Sequence, residues 1–106
     1  MSKINIQFTL FSAFYSPLIS TMTGGFLKEE GLDYDWSVAK PGVTAITALD
    51  DGSADVVQST LSQGFNTLNK GETPKCLHFA QINEMDGFFI TGRNAEPNFQ
   101  WSNLEG

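Results

Sequence analysis

The sequence predicts an α/β domain built on a mostly parallel sheet with helices on both of its faces. Two observations predict it: apolar residues recur at helical spacing, and β-favouring segments directly follow the helix-ending glycines Gly31 and Gly52. Two such helix-to-strand transitions in succession give a β-α-β-α-β order, which implies parallel strands joined by right-handed crossovers. Open sheets of this kind bind small ligands beyond the carboxyl ends of their strands.

The first part of the chain contains two strands and the helix that joins them. Alternating apolar residues predict the first strand over residues 4–10. Ser16 is a favoured N-cap and Pro17 suits the first helical turn, so a helix is predicted over residues 17–30, weakened by Gly24-Gly25. Residues 32–39 predict the second strand, in which Tyr34 and Trp36 share one face and are assigned to the core.

The remaining elements follow at short intervals. Residues 43–50 predict a second helix, residues 54–58 a third strand, and Ser59 or Thr60 caps a third helix that ends at Gly71. Residues 76–82 and 87–91 predict a fourth and a fifth strand, and the last dozen residues predict a loop. Cys76 and His78 fall in the fourth strand, where a buried, unreactive thiol and a packed imidazole are expected.

Length and composition limit the classes of function. The 106 residues are enough for one domain, and 41% hydrophobic residues support a packed core. A net charge of −6, from 6 basic and 12 acidic side chains, argues against nucleic acid and against a polybasic membrane surface. The single cysteine permits neither an intrachain disulfide nor a multi-cysteine metal site. No segment is expected to span a membrane or to direct export.

Three segments resemble one family in their order and spacing: GFLKEEGLD over 25–33, ALDDGSAD over 48–55 and WSNLEG over 101–106. They are similar to the NMT1/THI5-like substrate-binding proteins, which serve ABC importers for nitrate, sulfonates, taurine and related solutes. The resemblance implies a periplasmic-binding-protein type 2-like fold, in which two α/β lobes clamp the ligand. Because family members are much longer, residues 1–106 are expected to form a single, incomplete first lobe, with the second lobe absent.

The loops after the predicted strands carry the candidate ligand-binding residues. These positions line the cleft in the family, and here they are Phe11, Ser12, Tyr15, Gly42, Val43, Thr44, Ser59, Thr60, Gln81 and Asn83. Free N–H groups at the start of helix 43–50 would suit an anion, and Phe11 and Tyr15 would form apolar walls. Thr44, Ser59 and Thr60 serve equally well as helix caps.

The resemblance implies a solute-binding component of an ABC importer, without catalysis or cofactor. A small solute and the permease subunits are the implied partners, and the periplasm is the implied compartment. The cytoplasm is the alternative, because the sequence predicts no signal segment.

Two further functions remain open as alternatives. A related enzyme of thiamine-pyrimidine biosynthesis holds pyridoxal phosphate on a lysine, with a histidine four residues later. Ser59 and Gln63 stand at those positions, so neither the Schiff base nor that reaction is expected. The third possibility is a stand-alone module that forms a homodimer through an exposed sheet edge.

Overall fold

The computed structural model describes residues 2–85 and 89–105, and within them it has an α/β fold with one parallel sheet. The strands are β1 (Ser2–Phe8), β2 (Leu32–Val38) and β3 (Val56–Gln58). The α-helices are α1 (Ser16–Thr23), α2 (Phe26–Glu29), α3 (Ala45–Asp50) and α4 (Phe65–Asn69). Short 3-10 helices cover Ala13–Tyr15, Leu61–Gly64 and Trp101–Leu104.

The strand order is β2-β1-β3, with β1 in the centre. β1 pairs with β2 from Ser2 opposite Leu32 to Phe8 opposite Val38. It pairs with β3 over three residues, from Ile6 opposite Val56 to Phe8 opposite Gln58. Both pairings are parallel, which confirms the predicted fold class.

The two crossovers run in opposite directions across β1. The chain passes from β1 to its neighbour β2, and then back over β1 to reach β3. Because crossovers between parallel strands are right-handed, opposite directions place the connecting helices on opposite faces of the sheet. The first crossover carries α1 and α2, and the second carries α3. Helices therefore flank both faces, as the sequence predicts.

The core lies between β1 and the first crossover. Ile6, Phe8 and Met22 are buried against one another. Seven partly buried side chains surround them: Ile4, Tyr15, Leu18, Ile19, Leu27, Tyr34 and Val56. The Tyr34 hydroxyl donates to the Met22 carbonyl at 3.1 Å, so the ring packs without leaving its polar group unpaired. In α3, buried Ala45 and Ala48 form the packed face.

Gly31 and Gly52 follow α2 and α3 with φ values of 75° and 74°, the left-handed conformation that ends a helix. The single helix predicted over 17–30 is wrong, because left-handed backbone at Gly25 (φ 86°) separates α1 from α2. Ser16 is likewise not the N-cap. It is the first residue of α1, and its hydroxyl donates to the Ala13 carbonyl.

The predicted fourth strand is wrong, because residues 76–82 have no regular secondary structure. A strand needs a neighbour to pair with, and β3 offers a ladder of only three residues. His78 is exposed and Cys76 is half-buried, so neither has the packed environment expected of it. Of the predicted fifth strand, Gly87 and Phe88 lie outside the described residues, and residues 89–91 are not in a strand.

Residues 77–104 leave many large apolar side chains in contact with solvent. Those more than half exposed include Leu77, Phe79, Met85, Phe89, Ile90, Trp101 and Leu104. The radius of gyration is 18.0 Å, whereas a compact domain of 100 residues has a radius of gyration of about 13 Å. This part of the chain therefore adds little to the core around β1. No helix among the described residues has the length and apolar character required to cross a bilayer.

Candidate functional site

The parallel pairing brings the carboxyl ends of the three strands to one edge of the sheet, which we call the carboxyl edge. Hydrogen bonds join the strand ends where the loops begin. The Ala39 N–H donates to the Phe8 carbonyl at 2.8 Å, and the Thr9 N–H donates to the Gln58 carbonyl at 3.3 Å. Loops from distant parts of the sequence consequently start side by side.

The order of the strands changes direction between β1 and β3, although the strands themselves are parallel. The connection from β1 leads to β2 on one side, and the connection from β2 arrives at β3 on the other side. In open α/β sheets the loops diverge at such a point and leave a crevice that accepts ligands. Thr9 and Gln58 occupy it, with the Thr9 hydroxyl donating to Gln58 Oε1 at 3.2 Å. This pair is not predicted from the sequence, because local residue spacing does not specify strand order.

The loop after β1 presents Phe11, Ser12 and Tyr15. Ser12 caps the 3-10 helix that follows, since its hydroxyl accepts the Phe14 N–H at 3.2 Å. Phe11 is 48% exposed, and Tyr15 is half-buried beside Phe8. Phe11 and Tyr15 therefore line the start of this loop, where apolar walls are predicted.

The loop after β2 presents Gly42, Val43 and Thr44. Thr44 is the N-cap of α3, and its hydroxyl accepts the Thr47 N–H at 3.1 Å. The Val43 N–H donates to the Lys40 carbonyl at 3.0 Å. The expectation that Val43 offers a free N–H to an anion is therefore wrong, since a turn hydrogen bond already occupies that group. The capping role weighed for Thr44 is confirmed.

Ser59 and Thr60 follow β3. Thr60 precedes the 3-10 helix Leu61–Gly64 without a side-chain capping bond, and its hydroxyl pairs with that of Ser62 at 2.7 Å. Ser59 lines a narrow cavity that Cys76 and His78 also border. A wider hollow of about 290 Å³ lies between the beginnings of α3 and α4. Five of its lining side chains carry a hydroxyl or amide group, namely Thr44, Ser62, Gln63, Asn66 and Thr67, and the sixth is Ile46.

Gln81 and Asn83 were predicted to end a fourth strand, which does not form. Asn83 nevertheless reaches the loop after β1, because its Nδ2 donates to the Phe14 carbonyl at 2.8 Å. Gln81 Nε2 donates to the Asn83 carbonyl at 3.0 Å and is exposed. The structure thus joins Asn83 to the 3-10 helix after β1 through a contact that spans 69 residues of sequence.

Four aromatic rings form a cluster next to the end of β1. Phe8 is fully buried and meets Phe11 and Trp36 edge-on, with centroid distances of 5.3 and 6.2 Å. Tyr15 lies 6.5 Å from Phe8 at a tilt of 47°. Trp36 is 51% exposed, so its assignment to the core is wrong. Its place near the end of β2 is the sequence signal that could have assigned it to the carboxyl edge.

Displaced pKa values occur away from the carboxyl edge. A hydrogen bond and the charge of Asp35 raise the pKa of Lys3, at the start of β1. Hydrogen bonds from Ser53 lower the pKa of Asp51, which follows α3 at the opposite end of the sheet. In the described parts of the chain, no three His, Cys, Asp or Glu side chains form a group suited to a metal ion.

Comparison with known proteins finds a distant relative over the full length of this chain. The chain is 29% identical over 106 residues to a Bacillus subtilis (strain 168) protein named "Putative binding protein YtlA". It spans 32% of that protein's length. No family model and no solved structure matches the chain. The relative supports a binding role in general terms.

Proposed function

We propose that the chain is the solute-recognising part of an ABC-importer binding protein of the NMT1/THI5-like class. The observation that carries the proposal is the convergence of the loops after all three parallel strands at one edge. Crevices at this position of open α/β sheets are where ligands bind. The similarity to a named binding protein along all 106 residues is in keeping with that role.

In this proposal a small solute such as a sulfonate, nitrate or a pyrimidine lies against the carboxyl edge. Hydroxyl groups of Thr44, Ser59 and Thr60 supply hydrogen bonds, with the backbone of Gly42 beside them. Phe11 and Tyr15 supply the apolar walls, because ligand pockets combine apolar area with a few placed polar groups. Ser12, Gln81 and Asn83 complete the polar side of the site. The protein binds its solute and performs no covalent chemistry.

The proposal also assigns the partners and the compartment. Permease subunits of the importer receive the solute, and the binding protein works in the periplasm. Its ligand is enclosed when a further part of the binding protein closes over the carboxyl edge. A closure of this kind couples recognition to delivery, since the ligand-bound shape differs from the free one.

Thermal unfolding with a panel of solutes tests the proposal. The panel contains taurine, an aliphatic sulfonate, nitrate, phthalate, a formylaminopyrimidine and pyridoxal phosphate. A ligand that binds only the folded state stabilises it by about 2.7 kcal/mol at a concentration ~100 times its Kd. We expect one of the first five compounds to raise the midpoint in a saturable way.

The matched variants are Ser59→Ala, at the carboxyl edge, and Ser102→Ala, on the exposed 3-10 helix near the end of the chain. Ser59→Ala should weaken the ligand-induced shift, and Ser102→Ala should leave it unchanged. A cooperative melt with no shift for any compound would contradict the proposal. A saturable shift with pyridoxal phosphate alone would favour the thiamine-pyrimidine enzyme instead, although Ser59 provides no amine for a Schiff base.

A second candidate function, self-association, is favoured by the exposed apolar side chains of residues 77–104. Leu77 is 88% exposed and Phe79 is 78% exposed, and a second copy of the chain would remove such side chains from water. Sedimentation velocity at micromolar concentrations should then detect a dimer that the double substitution Leu77→Ser and Phe79→Ser dissociates. A monomer at all concentrations would exclude this function.

A further inference from the structure

We infer that Phe11 and Trp36 form an aromatic platform on which the bound solute stacks a planar ring. The inference rests on the proposed binding function and narrows its solute to an aromatic or heteroaromatic compound. The two rings lie nearly parallel, at an interplanar angle of 25°, with centroids 5.0 Å apart. Trp36 is predicted from the sequence to lie in the core, and its exposure makes it available to a ligand instead.

The platform is supported from below by a buried ring. Phe8 has no exposed surface and meets both members of the pair edge-on, at interplanar angles of 78° and 89°. Edge-to-face contacts favour defined ring orientations, because the positive edge of one ring meets the negative face of another. Phe8 therefore fixes the orientation of both rings, and a fixed surface loses little freedom when a ligand binds.

Both members of the platform keep solvent-exposed surface. Phe11 and Trp36 are 48% and 51% exposed, although each already contacts the other and Phe8. Trp36 lies two residues before the end of β2, and Phe11 lies three residues after the end of β1. The exposed surface is consequently at the carboxyl edge, where the solute is proposed to bind.

The parallel geometry selects a planar ring over an aliphatic group. A third ring can extend an offset stack of two, and stacking adds to the affinity that burial of apolar area provides. The pair Phe99 and Trp101 provides a contrast within the same chain, since these rings meet at 77° and present no parallel faces. Ser12 and Asn83 both hydrogen-bond the backbone of Phe14, three residues after Phe11, and are the polar groups nearest to the platform along this loop.

Fluorescence of Trp36 tests this inference directly. The substitution Trp101→Phe leaves Trp36 as the single tryptophan, because the chain contains two. The probes are benzamide and cyclohexanecarboxamide, which share one polar group and differ in whether the ring is planar. We expect benzamide to change the Trp36 emission in a saturable way, and cyclohexanecarboxamide to bind about tenfold more weakly. Calorimetry of the unaltered chain gives the same ratio without an optical reporter.

The matched variants keep an apolar side chain at each position and remove the aromatic stack. Trp36→Leu and Phe11→Leu should each weaken benzamide binding in calorimetry by about tenfold, and Trp101→Leu should not affect it. Circular dichroism confirms that each variant is folded. Because both target side chains are half exposed, the fold should tolerate either change.

Four results would overturn the inference, and only the last of them also rejects the wider proposal. The platform would be excluded by equal affinity for the two probes, or by unchanged benzamide binding in both leucine variants. Neither result would contradict solute binding that the thermal panel detects. Trp36 emission that changes with protein concentration alone assigns the surface to a second copy of the chain. The absence of binding by every panel compound and both probes rejects the proposed function as well.

Discussion

The substitution Phe8→Leu tests the centre of the core and the support of the aromatic platform together. Phe8 is completely buried, and it meets two rings edge-on at 5.3 and 6.2 Å. Leucine retains much of the apolar volume but loses both contacts, each of which contributes about 0.5–1.5 kcal/mol beyond area burial. The smaller side chain also leaves unfilled space, which carries its own cost. We expect the free energy of unfolding to fall by about 2 kcal/mol.

Urea unfolding followed by circular dichroism measures this change. With a denaturant slope of about 1–3 kcal/mol per molar urea, the midpoint should fall by roughly 1 M. The matched control is Phe79→Leu, because Phe79 is 78% exposed and makes no contribution to the buried cluster. Its effect should stay within about 0.5 kcal/mol. Equal midpoints for the two variants would refute the assignment of Phe8 to the centre of the core.

Three further substitutions test local features of the fold. Gly31→Ala should lower the free energy of unfolding in urea by about 1–2 kcal/mol, because alanine is disfavoured at a φ of 75°. Nothing within 4 Å would obstruct the added methyl group, so the backbone conformation alone accounts for this loss. No loss would mean that this turn is not left-handed. Gln7→Leu should leave stability unchanged or raise it by about 1 kcal/mol, since Gln7 Oε1 is buried without a hydrogen-bond partner in the described structure. A clear loss would reveal a donor to that oxygen. Asp51→Ala tests the pKa of Asp51, which hydrogen bonds from Ser53 hold below its ordinary value of 3.8. A lowered pKa stabilises the fold above pH 3.8 and ceases to do so as the pH falls through the folded-state value. The difference in melting midpoint between wild type and variant should therefore shrink in acid, and a difference that grows in acid would contradict the assignment.

The sequence predicts the site residues whose position depends on neighbouring residues, and it does not predict the contacts that hold distant segments together. Phe11, Thr44 and Ser59 are predicted at the carboxyl edge because each lies in the connection after a strand, and the parallel pairing places those connections at that edge. Their roles in binding stay predictions. Asn83 was chosen for a strand that does not form, yet its hydrogen bond to the Phe14 carbonyl brings it to the first loop. That contact depends on a chain path that no local pattern encodes.

The sequence by itself determined the α/β class, the presence of the three paired strands and the ends of two helices at Gly31 and Gly52. These features depend on local causes, namely side-chain periodicity and backbone conformation within a few residues. Only the tertiary structure decided the order β2-β1-β3, the irregular path of residues 76–82 and the exposure of Trp36. Pairing and burial depend on which distant segment lies alongside, and the sequence of a strand does not specify its neighbour.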